Sequence, residues 1–285
     1  MKTPSGRARL AWVDAEIGQL ALRICGDDKH GRRPVVMLHG WSQSSLSFAR
    51  QFGGSLADRH LLLAPDLPGH GASPAPDHPD AASHSAYWAD VVHGVILALG
   101  LERPVLVGWS MGGWIIGDYL RKHGTATLGG IVTVGTVARI GALADPAMMA
   151  KRKADVRAEG MFHDDPQVQI EAAIAFARAL TAGPLSKQDL AFHVAQMMAC
   201  PPAIRRAARL RDEDWRADFA RARDAALPSL VIQGGAERVC FAPQAAETAA
   251  ALGAETVTIP GAGHMPFWEQ AERFEAAVGT FLDRC

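Results

Sequence analysis

Short apolar runs recur along the chain, and a segment with helical spacing of apolar residues follows most of them. The first two runs, residues 8–14 and 19–26, predict the two strands of a β-hairpin, and the second run ends at Gly26 in a polar turn. From residue 34 onward, strand-like runs alternate with helical patterns, which predicts an α/β fold with a doubly wound, mostly parallel sheet of eight strands. The six runs that complete this sheet are residues 34–38, 60–65, 104–107, 129–135, 228–234 and 255–259.

Helical patterns occupy most of the connections between these strands. The pattern over residues 87–99 is the clearest, because it ends at Gly100, a residue type that commonly follows the last turn of a helix. The other predicted helices of the sheet layers are residues 45–56, 114–120, 243–252 and 269–284.

The alternation breaks between residues 137 and 226, where no strand-like run occurs and helical patterns such as 167–180 and 190–198 follow one another. We therefore expect a helical lid at residues 137–226, inserted into a core domain formed by residues 1–136 and 227–285. The lid carries basic clusters, of which Arg205, Arg206, Arg209 and Arg211 form the largest, with acidic residues nearby. This mixture predicts a solvated helix face.

Composition narrows the possible functions. The 285 residues include 48% hydrophobic and 21% charged residues with a formal net charge of −1, which is typical of a globular protein and favours neither nucleic acid nor a membrane as partner. The basic N-terminal residues are not followed by an apolar h-region, and no stretch reaches 18 uninterrupted apolar residues, so we expect neither secretion nor a membrane span. The four cysteines, Cys25, Cys200, Cys240 and Cys285, lack C-x-x-C spacing, so we expect no metal site, no disulfide framework and a cytoplasmic location. The oligomeric state is left open.

The strongest chemical signal is the stretch Gly108-Trp109-Ser110-Met111-Gly112, which lies between a predicted buried strand and a predicted helix. A strand that turns directly into a helix strains the residue in the bend, and small residues two positions before and after it prevent a clash. The G-x-S-x-G pattern in this context is a nucleophile elbow, which presents the Ser110 hydroxyl at the carboxyl end of the sheet. The same bend frees the backbone N–H of Met111 to stabilise developing negative charge.

Two further loops follow strands of the same predicted sheet. His39-Gly40-Trp41 follows the strand over residues 34–38, and the backbone N–H of Trp41 is the candidate partner of the Met111 N–H in an oxyanion hole. His264 stands in a glycine-flanked loop after the last predicted strand, where the base of a serine triad is expected.

The acid of such a triad is expected between the serine and the histidine in chain order. Glu237 follows the strand over residues 228–234 and occupies the corresponding position. Asp224 lies at the opposite end of that strand, Asp145 lies far into the predicted lid, and no aspartate follows Val134. Glu237 is therefore the candidate acid.

Together these motifs resemble those of the α/β-hydrolase superfamily. The resemblance rests on His39-Gly40-Trp41, residues 66–71, residues 108–113 and Gly263-His264, and it covers nearly the whole chain outside the predicted lid. It implies that Ser110 is the nucleophile, His264 the base and Glu237 the acid, with Trp41 and Met111 as oxyanion donors. Most relatives carry aspartate where this chain has Glu237, so the loop must sit farther from His264 or the side chain must fold back.

The resemblance also implies the chemistry. A serine at the elbow indicates acyl transfer, whereas dehalogenases and epoxide hydrolases of this fold carry aspartate there. The motifs around Trp41 and Ser110 are similar to those of small carboxylesterases, including the biotin-pathway methyl esterase. The candidate acid Glu237 is similar to the glutamate of acyl-homoserine lactone lactonases. An ester hydrolase is favoured; a lactonase, thioesterase, perhydrolase or carbon–carbon bond hydrolase, and a non-catalytic ligand receptor, remain alternatives.

The substrate is expected to be a small ester or lactone, with no cofactor. Apolar residues of the lid and aromatic residues below it are the candidate walls of the pocket, which favours short to medium acyl chains or small aromatic esters. These candidates are Trp41, Trp109, Met148, Phe162, Phe176, Met197 and Phe267. Met149, Met161, Phe192 and Met198 are further apolar residues of the lid.

Overall fold

The computed structural model describes residues 8–27, 31–147 and 158–285. The described residues form an eight-stranded sheet in the order β1-β2-β4-β3-β5-β6-β9-β10. All neighbouring pairs are parallel except β1 with β2 and β2 with β4, which confirms the predicted doubly wound, mostly parallel sheet. The strands are β1 (Arg9–Ala15), β2 (Gly18–Cys25), β3 (Val35–Leu38), β4 (Leu62–Pro65), β5 (Val105–Trp109), β6 (Gly130–Val134), β9 (Ser229–Gly234) and β10 (Glu255–Ile259).

The central strands are short and apolar because helices cover both faces of the sheet. Every residue of β3, β4, β5 and β6 is buried. The helices of these two layers are α1 (Ser55–Arg59), α2 (Ser85–Ala98), α3 (Met111–His123), α8 (Ala242–Leu252), α9 (Pro266–Glu269) and α10 (Ala271–Leu282). The register aligns Leu38 with Gly108 and Trp109 with Val134, so the loops after β3, β5 and β6 open at one edge.

The chain between β6 and β9 contains four α-helices among its described residues: α4 (Pro166–Ala179), α5 (Lys187–Ala199), α6 (Pro202–Arg209) and α7 (Arg216–Asp224). Two 3-10 turns, Gly141–Leu143 and Ala158–Phe162, precede them. Two short strands, β7 (Arg139–Ile140) and β8 (Glu213–Asp214), pair antiparallel and bring the two ends of the segment together. Helix α7 packs against α3 and α8, in the layer that covers one face of the sheet. The lid boundaries at residues 137 and 226 stay a prediction.

The prediction of one helix over residues 45–56 is wrong. The chain there forms two 3-10 turns, Ser45–Phe48 and Gln51–Gly53, before the short helix α1. The backbone N–H and the hydroxyl of Ser45 both donate to Asp66 Oδ1, at 2.7 and 2.6 Å, and Gly54 is extended. Hydrogen bonds to the Asp66 side chain thus replace those of a continuous helix at Ser45. The two glycines, Gly53 and Gly54, allow the backbone to leave the helical conformation.

The prediction that the arginine cluster lies on a solvated helix face is wrong for two of its members. Arg205 and Arg211 expose only 1% and 3% of their surface. The guanidinium of Arg205 donates to Gln169 Oε1 at 2.8 Å, and that of Arg211 forms an ion pair with the buried carboxylate of Asp118 on α3 at 2.7 Å. Their partners come from other helices, so the local sequence pattern does not reveal the burial. Residues 151–153, a second basic cluster, lie outside the described residues.

No helix in the described part of the chain has both the length and the apolar character needed to cross a lipid bilayer.

Candidate active site

Ser110 occupies the sharp bend between β5 and α3. Its backbone dihedrals are φ 52° and ψ −112°, a conformation that is costly for a residue with a side chain. A Cβ on Gly108 would lie 2.5 Å from the backbone of Gly112, and a Cβ on Gly112 would lie 2.2 Å from the carbonyl oxygen of Leu38. The two glycines of the motif are therefore required by the close approach of β3, β5 and α3.

Hydrogen bonds from neighbouring elements hold the bend. The Ser110 N–H donates to the carbonyl of Val134 on β6 at 2.8 Å, and the Ser110 carbonyl accepts from the Gly113 N–H at 2.9 Å. The Thr136 hydroxyl donates to the same carbonyl at 3.3 Å. Met111 is the first residue of α3, so its N–H has no acceptor within the helix. The bend thus leaves the Ser110 side chain partly exposed beside a helix N-terminus.

His264 and Glu237, from loops that follow β10 and β9, form a hydrogen-bonded pair. Nδ1 of His264 lies 2.7 Å from Oε2 of Glu237, and the two side chains are only 1% and 2% exposed. The second carboxylate oxygen, Oε1, accepts the backbone N–H groups of Arg238 at 2.9 Å and Val239 at 2.7 Å. The longer glutamate side chain is therefore folded so that one oxygen anchors to its own loop while the other reaches the histidine.

Gly135, the residue after β6, makes room for this pair. Its φ is +55°, and a Cβ there would lie 2.8 Å from Nδ1 of His264 and 3.2 Å from Oε2 of Glu237. Any side chain at this position would thus press on the hydrogen bond between the two residues. Gly135 was not among the predicted site residues, although a glycine directly after a strand that precedes the predicted lid is a visible signal.

Ser110 and His264 share several neighbours. The indole N–H of Trp109, the residue before Ser110, donates to the carbonyl of His264 at 2.8 Å. Val134 accepts the Ser110 N–H, and the next residue, Gly135, packs against the His264 ring. The serine loop and the histidine loop are thereby joined at the carboxyl edge of the sheet.

The loop after β3 lies against both the elbow and the helices of the inserted segment. A Cβ on Gly40 would lie 2.9 Å from the Trp109 ring, so the loop passes close to the serine strand. The Trp41 indole N–H donates to the carbonyl of Arg205 on α6 at 2.8 Å, and the Ser42 hydroxyl donates to the carbonyl of Met197 on α5 at 3.1 Å. These contacts fix the loop that carries the candidate oxyanion donor Trp41.

A serine–glutamine cluster adds to this attachment. The hydroxyls of Ser44 and Ser47 donate to Oε1 of Gln196 on α5, at 2.8 and 3.3 Å. These residues were not predicted, because serines in or beside a predicted helix carry no signal of a partner so far along the chain.

His39 and His70 are buried beneath this loop. The Nε2 atom of His39 accepts the Leu67 N–H at 3.0 Å, so the ring proton is assigned to Nδ1, which faces the Gly40 carbonyl at 2.9 Å. Burial lowers the pKa of His39 to about 4 and that of His70 to about 3. The Asp66 carboxylate opposes the shift at His39, whereas the neighbouring His39 ring adds to that of His70. Both rings are neutral at pH 7 and serve the packing of the loop.

His193 on α5 is also a buried histidine with a lowered pKa. It is fully buried, packs edge-on against Trp268 at 4.6 Å, and neither of its ring nitrogens has a hydrogen-bond partner among the described residues. Burial lowers its pKa to about 4, with a smaller lowering from Arg50 and an opposing effect of Asp189.

Because burial lowers the pKa values of His39, His70 and His193, we expect acid to destabilise the folded protein. In the unfolded chain their pKa values return to about 6.5, so the unfolded state binds more protons between pH 6.5 and 4, and the free energy of unfolding falls as the pH falls through this window. Each histidine contributes about 2 kcal/mol of this loss at pH 5. Urea unfolding between pH 7.5 and 5 measures it.

The matched variants for this test are His193→Leu and His78→Gln. His193→Leu removes one of these groups and should lessen the loss of the free energy of unfolding at pH 5 by about 2 kcal/mol. Part of the pH dependence should remain, because burial also lowers the pKa values of His60 and His123. His78 is exposed, so His78→Gln should leave the dependence as it is. An unchanged slope in His193→Leu would contradict the assignment.

The predicted pocket residues fall into different places. Phe176 on α4 packs edge-on against Trp41 at 5.4 Å, and the buried Met197 lies on α5 next to the Trp41 loop. Trp109 and Phe267 pack against each other at 4.9 Å behind His264. Phe162 lines a separate cavity of about 430 Å³ together with Arg209 and Leu210. Met148, like Met149, lies outside the described residues.

Comparison with known proteins agrees with this architecture. Residues 35–277 match the sequence profile of the alpha/beta hydrolase family. The chain is 27% identical to the AB hydrolase superfamily protein YisY of Bacillus subtilis over 90% of its own length and 93% of that protein. It is 26% identical to a pimeloyl-[acyl-carrier protein] methyl ester esterase of Edwardsiella ictaluri, over 89% and 94% of the two chains.

A solved structure gives the same result. The esterase RhEst1 from Rhodococcus sp. ECU1013 superposes with a TM-score of 0.83 at 30% identity, over 96% of this chain and 98% of that one. The profile match, the strand order and the serine elbow lead to one conclusion: the chain belongs to the alpha/beta hydrolase family.

Proposed function

We propose that the protein is a serine hydrolase that cleaves carboxylic esters of small to medium acyl or aromatic acids through an acyl-enzyme. The observation that carries this proposal is the buried hydrogen bond between Nδ1 of His264 and Oε2 of Glu237, at 2.7 Å, beside the strained bend of Ser110. Esterases among its similar proteins support the same reaction class.

In the proposed mechanism Glu237 holds the proton of His264 on Nδ1, which leaves Nε2 free to accept the proton of the Ser110 hydroxyl. The Ser110 oxygen attacks the ester carbonyl, and the backbone N–H groups of Trp41 and Met111 stabilise the resulting oxyanion. His264 then returns the proton to the leaving alkoxide. Water, activated by His264 in the same way, hydrolyses the acyl-enzyme and restores the Ser110 hydroxyl.

The proposal is tested with a series of p-nitrophenyl esters from acetate to dodecanoate. Each methylene that enters an apolar pocket adds about 0.8 kcal/mol of binding, or about a fourfold gain in kcat/KM. Trp41, Phe176 and Met197 are the proposed pocket walls, since they are apolar and lie at the loop of the oxyanion donor. We expect kcat/KM to rise with acyl length and then to fall once the pocket is full.

A comparison of a long-chain and a short-chain ester tests the size limit of the proposed pocket. Because the predicted helical lid is proposed to close over the site, emulsified long-chain triglyceride should be a poor substrate beside a soluble butyrate ester. Equal activity on both would contradict the proposed pocket, and no activity on any ester of the series would contradict the proposed reaction.

A lactone is the second candidate substrate, because Glu237 as the acid resembles the glutamate of acyl-homoserine lactone lactonases. A lactone is a cyclic ester and passes through the same tetrahedral intermediate, so the proposed roles of Ser110, His264 and Glu237 are unchanged. Parallel kcat/KM values for acyl-homoserine lactones and for p-nitrophenyl esters of equal acyl length distinguish the two. A lactonase should prefer the lactones at every length.

A further inference from the structure

The carboxylate of Glu269 joins two segments that are far apart in the sequence. Its Oε2 accepts the backbone N–H of Gly263, the residue before His264, at 2.6 Å. Its Oε1 accepts the N–H of Ala182 at 2.7 Å and that of Gly183 at 3.3 Å. Glu269 therefore links the histidine loop to residues 180–183, the turn between α4 and α5, which we name the brace turn.

The brace turn receives bonds from two other sites around the proposed triad. The N–H of Met265, the residue after His264, donates to the carbonyl of Leu180 at 3.1 Å. The guanidinium of Arg238, the residue after Glu237, donates to the carbonyl of Thr181 at 2.7 Å. Both neighbours of His264 and the neighbour of Glu237 are thus attached to the same four residues.

The histidine loop needs such an attachment. It lies between β10 and α9 and contains Gly261 and Gly263, which allow the backbone many conformations. Gly263 packs so closely on the brace turn that a Cβ there would lie 2.7 Å from the Ala182 nitrogen. Without the Glu269 carboxylate, the N–H groups of Gly263 and Ala182 would lose their charged acceptor, and bonds to a carboxylate are stronger than those to a neutral group.

We propose that Glu269 is a positioning residue, which rests on the proposed function of His264 as the base: by binding the histidine loop to the brace turn, its carboxylate holds the imidazole at the angle that proton transfer from Ser110 requires. A displacement of about 1 Å at a reacting group lowers the rate by up to roughly 100-fold. The Glu269 carboxylate binds backbone N–H groups, so in this proposal it acts on the imidazole through the backbone of the histidine loop.

The test uses the full chain with Glu269→Gln and Glu269→Asp. The glutamine has the size of glutamate, but its amide offers an NH₂ group to one of the two segments and so loses that bond. The aspartate keeps the charge but is one methylene too short to bridge both segments. We expect both variants to lower kcat for p-nitrophenyl butyrate by about 10- to 100-fold with little change in KM.

Glu272→Gln is the matched control, because Glu272 is exposed on the next turn of the same region. It should keep the wild-type kcat. Melting temperature and far-ultraviolet circular dichroism give the folded fraction of each variant, so that kcat is expressed per folded molecule.

A double-mutant cycle separates positioning from a merely structural role. If Glu269 acts through the orientation of His264, its replacement should cost much less in the Glu237→Gln background, where the imidazole is already misoriented. A fully additive loss, a loss confined to KM, a wild-type kcat, or failure of both variants to fold would each overturn the proposal. An inactive wild-type protein would instead contradict the proposed function.

Discussion

Replacing Ser110 by alanine should lower kcat for p-nitrophenyl esters by roughly 10⁴- to 10⁶-fold. The variant loses the oxygen that forms the acyl-enzyme, and water is a much weaker nucleophile at the same position. The fold should be unaffected, because the hydrogen bonds of Ser110 to Val134 and Gly113 are made by its backbone. The measurement is kcat and KM for the soluble esters, together with the melting temperature.

Ser229→Ala is the matched control for this variant. Ser229 begins β9 at the amino edge of the sheet, and its hydroxyl donates to the carbonyl of Leu227 at 2.9 Å. The same chemical change at this distant position should leave kcat near the wild-type value. If Ser110→Ala kept more than a few per cent of the activity, another residue would be the nucleophile.

The second large effect is expected at Glu237. Glu237→Gln should lower kcat by roughly 10²- to 10⁴-fold, since the acceptor that fixes the tautomer of His264 and stabilises its protonated form is lost. If the new NH₂ group faces Nδ1, the ring proton moves to Nε2, which can then no longer accept the Ser110 proton. If the amide turns round, its NH₂ group opposes the N–H groups of Arg238 and Val239, which donate to the carboxylate in the wild-type protein.

Two further variants make this result specific to the acid. Glu237→Asp restores the charge but shortens the side chain, so it should recover only part of the activity. The exposed Glu272 provides the control for a glutamate-to-glutamine change. A wild-type rate in Glu237→Gln, combined with a large loss at another carboxylate, would assign the acid elsewhere.

The sheet was predictable from the sequence, because each of its central strands is a short buried run with its own local signal. The apolar residues of β3, β5 and β6 mark their strands without reference to partners. Parallel order then follows from the helical patterns between them. The predicted helix over residues 45–56 was wrong for the opposite reason, since Ser45 bonds to Asp66 rather than to its helical neighbours.

Some residues of the candidate site could likewise be predicted from local sequence, whereas others could not. Ser110 was recognisable because the steric demand on Gly108 and Gly112 acts within a few positions of the chain. His264 and Glu237 were predicted from their places after strands, which the order of the fold implies. Gly135, Gln196 and Glu269 were missed, because their contacts join segments that only the folded chain brings together.

The sequence by itself therefore determined the alternating fold, the elbow and the identity of the candidate nucleophile, base and acid, since each depends on short-range sterics or on position relative to a strand. Only the tertiary structure decided that Arg205 and Arg211 are buried and that Glu237 spans the gap to His264. It also decided that one turn of the inserted segment supports the histidine loop. The physical reason is that hydrogen bonds and burial depend on distances between atoms, and residues far apart in the chain acquire those distances only when it folds.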